Sequence, residues 1–281
     1  MGSYLRPSNL ADALAALAAR PRQVVAGGTD HYPARVSHTP DEDILDISAL
    51  PGLRTIEEHA THWRIPALAT WTDIATAKLP PVFDGLRKAA RQIGGPQVQN
   101  RGTLCGNLCN ASPAADGTPN LLVLDAVVEL ASAVGKRQMP IADFVIGSRQ
   151  TARRPDELVT AVRIPRPGRA ARAVFSKLGT RAYLVISIVM VAVVAEIAPD
   201  GRVAALRVAV GACGPVARRL PALEAALVGQ YPSPDRVRAE HFAPLTPIDD
   251  IRGTAAYRQA ATLELLRRAI AELSAPDRIA A

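Results

Sequence analysis

Aromatic side chains and lysine are both scarce in this chain of 281 residues. Aromatic residues make up 4% of it while 48% of it is hydrophobic, so aliphatic packing must supply the core. The net charge is +7, and with only four lysines almost all of the positive charge is arginine. The arginines are scattered and lack the interleaved aromatics of a nucleic-acid motif, so we predict no nucleic-acid partner. They can still dock an acidic partner subunit or screen the phosphates of a cofactor.

Cysteine is also rare. The chain has an odd number of cysteines, namely Cys105, Cys109 and Cys213, and its sequence shows no secretory leader. These two features predict reduced thiols and a cytoplasmic location. Three cysteines cannot ligate an iron–sulfur cluster alone, because such a cluster normally takes four ligands. The most apolar run, 183–195, is too short to span a bilayer as a helix, and its valines and isoleucines indicate a buried strand. We therefore predict a soluble chain without a membrane span.

Familiar catalytic and metal-binding motifs are absent. No G-x-G-x-x-G follows a strand and no G-x-x-x-x-G-K-[ST] occurs, which excludes a Rossmann fingerprint and a P-loop. His59 and His62 lie beside Glu57 and Glu58, but this segment leads into a predicted strand at 63–67 and is interpreted as an exposed turn. No serine or cysteine lies in a nucleophile motif. We therefore predict neither a catalytic residue nor a metal ligand on this chain.

Apolar spacing and turn residues predict helices and strands in alternation. Helices are expected from Leu10 behind a Ser8 cap, from Asp73 behind Thr70 or Thr72, and over 84–93, 220–228, 234–242 and 254–273. Strands are expected over 23–26, 44–47, 63–67, 158–164, 185–197 and 203–212. The last two strands form a predicted antiparallel hairpin, and the turn at 165–168 marks a predicted domain boundary.

Two glycine-bearing segments could hold a ligand. The first, Val25-Ala26-Gly27-Gly28-Thr29-Asp30, follows a strand, and paired glycines let its backbone offer N–H donors to phosphate oxygens. Alone, a Gly-Gly turn is more often only a turn. The second segment is predicted as a loop over 103–116; it is rich in small and hydrogen-bonding residues and has no lysine or arginine. A loop packed on a polar ligand would have this composition.

Together these segments carry a family resemblance. A-G-G-T-D after a strand, followed by Q-V-x-N-x-G-T-x-x-G-N-x-x-N-A-S-P-A-A-D, resembles the paired signature of the FAD-binding subunit of molybdenum hydroxylases. This group includes xanthine dehydrogenase, aldehyde oxidase and carbon monoxide dehydrogenase. Segments 155–165, 175–181 and 247–258 resemble further family motifs in the same order. The resemblance therefore covers nearly the whole chain.

The resemblance implies an α+β fold. Its first part would be a two-lobed FAD-binding domain of the PCMH (vanillyl-alcohol oxidase-like) type over 1–168, with lobes of about 1–55 and 56–168. A C-terminal domain with an antiparallel sheet and helices would follow over 169–281. Such a subunit is an oxidoreductase component that passes electrons from iron–sulfur centres through FAD to an acceptor such as NAD or dioxygen. The molybdenum cofactor and 2Fe–2S clusters would lie on a large and a small partner subunit.

The resemblance also implies roles for individual residues. One side of the pyrophosphate would be wrapped by Val24, Val25, Ala26, Gly27, Gly28, Thr29 and Asp30. The other side would be wrapped by Thr103, Leu104, Gly106 and Asn107. Polar edges of the flavin, or its ribityl and ribose hydroxyls, would be held by Asn110 and Asp116. Ile93 and Val159 would contact the flat ring system or the adenine, and Lys177 would lie near the pyrimidine end of the isoalloxazine.

Two departures from the family pattern leave alternatives open. Cys105 occupies a position where the family usually has glycine, and Gln99 replaces the arginine of Q-[IV]-R-N, with Arg101 nearby. One alternative is a self-contained flavin oxidase or reductase, with His31 beside the first loop as its acid or base. The other is a flavin-free binding or assembly protein, which Cys105 would favour. We interpret Cys105 and Cys109 as small buried thiols that fill space, and not as a redox pair.

Overall fold

A computed structural model describes residues 2–35, 41–182 and 184–274. In chain order the strands are β1 Tyr4–Leu5, β2 Gln23–Val25, β3 Ile44–Asp46, β4 Glu57–Glu58, β5 His62–Pro66, β6 Val127–Ser132, β7 Gly135–Pro140, β8 Val145–Gly147, β9 Gln150–Thr151, β10 Leu158–Pro165, β11 Ala171–Leu178, β12 Val189–Ile197, β13 Val203–Gly211 and β14 Arg218–Arg219. The α-helices are α1 Leu10–Ala19, α2 Trp71–Thr76, α3 Asp84–Gln92, α4 Pro96–Gln99, α5 Leu104–Asn110, α6 Gly117–Val123, α7 Ile141–Phe144, α8 Pro221–Leu227 and α9 Ala255–Ser274.

These elements belong to two compact units. The first takes the described residues up to Ala77 together with Gly95–Ala111 and Asp125–Arg166. The second takes Lys78–Gly94, Ser112–Leu124 and the described residues from Pro167 onward. The second unit thus includes two segments that precede residue 168 in the sequence.

The first unit contains a small parallel sheet and a larger antiparallel one. The parallel sheet has the order β1-β3-β2, and its edge strand β2 leads directly into the first glycine segment. The antiparallel sheet has the order β4-β5-β10-β6-β7. Ile65, Val128 and Val162 on its central strands are fully buried, which places the core of this unit on that sheet. Strands β8 and β9 pair as a separate hairpin.

The second unit is built on one antiparallel sheet with the order β11-β12-β13-β14. Every residue of β12 except Ile197 is buried, because helices cover both faces of this strand. Val191 and Val193 pack in one core with Leu223 of α8 and Leu266 of α9. Helices α3 and α6 cover the other face, where Arg207 of β13 donates to the carbonyl of Val123 at 2.8 Å. The predicted hairpin of two long apolar strands is confirmed.

The helix caps differ in part from the predictions. Helix α1 is capped by Asn9 and not by Ser8, because the Asn9 side chain accepts from the backbone N–H of Asp12. The predicted Thr70 cap of α2 is confirmed; it forms a reciprocal capping box with Asp73. The segment 103–116, predicted as a loop, contains α5, because the Thr103 hydroxyl caps a run of small residues.

Other boundaries also shift. The segment 234–242, predicted as one helix, forms two 3₁₀ turns, Pro234–Arg236 and Ala239–Phe242, because the extended backbone of Val237 separates them. The strand predicted from Val185 begins at Val189, and Tyr183 of the same apolar run lies outside the described residues. No helix in the described part of the chain is both long and apolar enough to cross a bilayer.

Candidate cofactor-binding site

The first glycine segment packs backbone against backbone inside the first unit. Gly28 has φ +70°, a conformation that glycine adopts without strain. A Cβ added to Gly27 would lie 1.9 Å from the carbonyl oxygen of Arg101. A Cβ on Gly102 would lie 3.1 Å from the Thr29 hydroxyl oxygen. The fold therefore brings the first segment against the chain that leads into α5, and glycines permit this close approach.

This segment presents unused hydrogen-bond donors. Counting acceptors among the described residues, the backbone N–H groups of Gly27, Gly28 and Thr29 donate to none of them. Gly28 uses only its carbonyl, which accepts from the N–H of Tyr32 at 3.1 Å. Successive free N–H groups in a turn form a concave donor site for an anion such as a phosphate. Val24 and Ala26 are half-buried, Val25 is buried and Asp30 is exposed.

The second segment supplies an acceptor. The N–H of Leu104 donates to the carbonyl of Ala69 at 3.2 Å, and that of Gly106 donates to the Thr103 hydroxyl oxygen at 2.9 Å. These donors are therefore used by the protein. By contrast, the Asn107 Oδ1 is buried and, as far as the described chain extends, has no hydrogen-bond partner. Because an unpaired buried acceptor costs about 1–3 kcal/mol, a ligand hydroxyl or N–H is the natural donor.

The donor and acceptor set fits FAD. The free N–H groups of Gly27, Gly28 and Thr29 match pyrophosphate oxygens, and Asn107 Oδ1 matches a hydroxyl or ring N–H of the flavin nucleotide. The glycine contacts keep side chains away from the point where the two segments meet.

Two further predicted contacts lie in the same unit. Asn110 is the last residue of α5, and its Oδ1 accepts a hydrogen bond from the guanidinium of Arg149. Arg149 was not predicted as a site residue, because it lies far along the chain in a turn. Val159 is 3% exposed and pairs with Leu130 between β10 and β6, directly before a register shift in that pairing.

The two cysteines of α5 differ in burial, and Cys109 is half-buried. Cys105 is buried, and its Sγ lies 3.9 Å from the carbonyl oxygen of Ile65 on β5. Burial raises the pKa of the Cys105 thiol and raises that of Cys109 to about 11. These thiols are protonated at neutral pH, which agrees with their interpretation as space-filling groups. Since the Cys105 side chain packs against β5, the cysteine does not support the flavin-free alternative.

Three predicted residues lie in the second unit. Lys177 and Asp116 form a buried ion pair with Nζ to Oδ2 at 2.7 Å, and the Ser187 hydroxyl donates to Asp116 Oδ1 at 2.5 Å. The Lys177 ammonium also donates to the carbonyls of Val185 at 3.2 Å and Gln92 at 3.4 Å. Its three N–H donors therefore all have protein acceptors. Ile93, the third predicted residue, is half-buried at the end of α3.

The carboxylate of this pair is held in a low-dielectric environment. Burial raises the pKa of Asp116, while the charge of Lys177 and the hydrogen bonds from Lys177 and Ser187 oppose that shift. Ser187 was missed by the sequence reasoning, although a lone hydroxyl at the start of an apolar run was a usable signal.

His31, His59 and His62 contact other side chains of the protein. His31 Nε2 lies 3.1 Å from Glu42 Oε1, and burial lowers the pKa of the His31 imidazole. His59 and His62 stack with ring centroids 4.6 Å apart, and the Arg163 guanidinium lies 3.1 Å from His62 Nδ1. In the part of the chain that the structure describes, no group of three or more His, Cys, Asp or Glu side chains could hold a metal ion.

Comparison with known families matches both parts of the chain. Residues 1–167 match the profile described as "FAD binding domain in molybdopterin dehydrogenase". Residues 174–273 match the profile described as "CO dehydrogenase flavoprotein C-terminal domain".

Individual relatives match over the full length. The nicotine 6-hydroxylase medium subunit of Paenarthrobacter nicotinovorans is 32% identical, and the match covers 97% of each chain. Among solved structures, a chain of reconstituted CO dehydrogenase from Oligotropha carboxidovorans superposes with a TM-score of 0.91 at 26% identity, covering 98% of each chain. A chain of quinoline 2-oxidoreductase from Pseudomonas putida 86 superposes with a TM-score of 0.87 at 26% identity, covering 98% of this chain and 97% of that one.

Proposed function

The chain belongs to the FAD-binding medium subunits of the molybdenum hydroxylases, and we propose that it serves as the flavin relay of a complex of three kinds of subunit. The family predicted from the sequence motifs, the FAD cofactor and the oxidoreductase class are confirmed. FAD, when bound, would supply the redox chemistry that connects one-electron centres to an external acceptor. The residues of this chain bind the cofactor, orient it and surround it with fixed polar groups.

One observation carries the assignment of the binding residues. Within the described part of the chain, the N–H groups of Gly27, Gly28 and Thr29 are free and Asn107 Oδ1 is unpaired, and all of them lie in the same unit. We assign the pyrophosphate to these N–H groups and a hydroxyl or ring N–H of FAD to Asn107. Thr103, Leu104 and Gly106 shape the segment, since their own polar groups hold α5 and its cap together.

For the Asp116–Lys177 pair we propose an electrostatic role. Since the Lys177 ammonium is shared among three protein acceptors, we propose that it acts on the flavin through its field and not through a direct hydrogen bond. The neighbouring carboxylate of Asp116 partly cancels that field. The redox influence of Lys177 is then weaker than that of an isolated cation.

We also propose partner subunits and a location, which the family and the composition support. We propose a large subunit with the molybdenum cofactor and a small subunit with 2Fe–2S clusters. The arginine-rich, net basic surface is suited to acidic faces on those partners. The acceptor is NAD, dioxygen or a comparable oxidant. All three cysteines are free thiols, which fits a reducing cytoplasm.

We also propose that the boundary between the two domains lies near residue 168.

Flavin content tests the cofactor assignment. The purified full-length chain should be yellow and should release FAD, identified by its fluorescence and chromatographic retention, when it is denatured. A folded chain that stays colourless and takes up no FAD on titration would contradict the assignment.

Co-purification tests the place of the chain in a complex. A tagged chain expressed in its native host should bring down a larger molybdenum-containing subunit and a smaller iron–sulfur subunit, seen by mass spectrometry and visible spectra. The iron–sulfur absorbance should bleach with substrate before the flavin is reduced. An isolated chain with full substrate turnover would instead favour the self-contained oxidase.

A further inference from the structure

The turn between β8 and β9 holds an arginine in an unusual backbone conformation. Arg149 has φ +58°, in the left-handed region that residues with a side chain seldom adopt. The hairpin is anchored by Phe144, which is fully buried and whose carbonyl accepts from the N–H of Ala152 at 2.8 Å. A strained residue on an anchored hairpin persists only where its surroundings fix it. The contacts of Arg149 therefore indicate the role of this backbone conformation.

Arg149 donates two hydrogen bonds to the carboxyl end of α5. Its backbone N–H donates to the carbonyl of Ala111 at 2.9 Å, and its guanidinium donates to the Oδ1 of Asn110. Ala111 ends the helix in the left-handed conformation as well, with φ +46°. The guanidinium also places a positive charge at the carboxyl end of the helix, where the helix dipole favours a cation. One residue thus fixes both the end of the helix and the side chain at that end.

This contact decides which way the Asn110 carboxamide faces. A guanidinium has donors and no acceptor, so the carboxamide must turn its oxygen toward Arg149. The amide Nδ2 then points away from Arg149 with two donors. Among the described residues no acceptor for this Nδ2 is found, and Asn110 is half-buried. The arrangement leaves a preoriented pair of N–H donors at the end of α5.

We propose that Arg149 is a positioning residue that holds Asn110 so that its amide nitrogen donates to an oxygen of FAD. The inference rests on the proposed function, since it requires Asn110 to contact the cofactor. The acceptor is a carbonyl or hydroxyl oxygen of FAD, because the pyrophosphate oxygens are already assigned to the backbone N–H groups of Gly27, Gly28 and Thr29. Arg149 itself makes no contact with the cofactor and acts through Asn110.

Substitutions at position 149 separate the side chain from the backbone. Arg149→Asn keeps a residue that tolerates the left-handed conformation but removes the group that reaches Asn110. We expect its dissociation constant for FAD, measured by flavin fluorescence on the full-length chain, to rise about tenfold. Arg149→Lys retains a donor and should stay within about threefold of the wild type. Lys136→Met removes an exposed charge of the same unit and should leave FAD affinity unchanged.

A double-mutant cycle tests whether Arg149 acts through Asn110. Asn110→Ala should weaken FAD binding, and Arg149→Asn should add almost nothing in that background. Additive effects would overturn the positioning role. Asn110→Asp replaces the amide donors by an acceptor while keeping a partner for Arg149, and it should weaken FAD binding about tenfold or more even if Arg149→Asn does not fold. Wild-type affinity in Asn110→Asp overturns this inference alone, whereas a wild-type chain without FAD overturns the proposed function as well.

Discussion

Gly27→Ala is the most direct perturbation of the proposed pyrophosphate site. The new methyl group would lie 1.9 Å from the Arg101 carbonyl oxygen and 2.5 Å from its carbon. Ordinary van der Waals contact begins near 3.4 Å, so the two backbone segments must separate by about 1.5 Å (3.4 minus 1.9). The nearest described atoms at this contact all belong to the backbone of Arg101 and Gly102, so no flexible side chain end among them can absorb the shift.

The expected costs follow from that displacement. Overpacking of this kind costs about 1–3 kcal/mol, and the lower chain entropy of alanine in the unfolded state returns about 0.4–1 kcal/mol. We therefore expect the free energy of unfolding to fall by about 1–2 kcal/mol. FAD affinity should fall by more than this change in stability accounts for, about a hundredfold, because the N–H groups of Gly27, Gly28 and Thr29 move with the displaced segment.

Urea denaturation of the apo chain and fluorescence titration with FAD measure the two effects separately. Two other glycines provide a graded control. A Cβ on Gly168 meets no atom of the described residues within 4 Å, so Gly168→Ala should be neutral in both assays. A Cβ on Gly106 would lie 2.8 Å from the Thr103 side-chain oxygen, so Gly106→Ala should have an intermediate effect through the helix cap. If Gly27→Ala binds FAD like the wild type, the proposed pyrophosphate site is wrong.

Three further predictions concern buried polar groups. The hydrogen bonds from Arg137 lower the pKa of Glu157, so its stabilisation is present at neutral pH and is lost as the pH falls below 4.5. Glu157→Gln should lower the free energy of unfolding by about 2 kcal/mol at pH 7, and the difference from the wild type should shrink only as the pH falls below 4.5 in urea titrations. Lys177→Met leaves Asp116 as an unpaired buried charge and should cost about 3–5 kcal/mol by the same assay, and a loss under 1 kcal/mol would contradict the buried pair. Because burial raises the pKa of the Cys105 thiol, it should react with a chromogenic disulfide reagent at pH 7.5 only after unfolding, and rapid labelling of the native chain would refute this.

Local signals predicted much of the fold. The long apolar strands of the second unit were recognised because β12 is covered on both faces and is therefore apolar throughout. The Thr70 cap was recognised because its partner Asp73 lies three residues later. The segment 234–242 was predicted wrongly. Its composition favours a helix, but the extended backbone of Val237 divides it into two 3₁₀ turns, and the sequence does not reveal that backbone conformation.

The chain also divides in a way that sequence order conceals. Segments 78–94 and 112–124 belong to the compact unit that contains the later residues, although both precede the turn at 165–168. Their helices are buried against β11 and β13 of that unit, so apolar packing and not proximity in sequence decides their membership. The two glycine-bearing motifs were nevertheless recognisable, because each is a short continuous segment of the sequence. The residues that contact a motif in the fold need not lie near it in the chain.

The sequence by itself determined the family, the α+β class and the FAD cofactor, because its spaced motifs resemble those of a known family, in which glycine lets the backbone approach a phosphate-bearing ligand closely. Only the tertiary structure decided which polar groups are free. It left Asn107 Oδ1 without a partner among the described residues, engaged the Lys177 ammonium with three acceptors and turned the Asn110 oxygen toward Arg149. The physical reason is that hydrogen-bond satisfaction depends on atoms far apart in the chain, and folding alone brings them within 3 Å or so of one another.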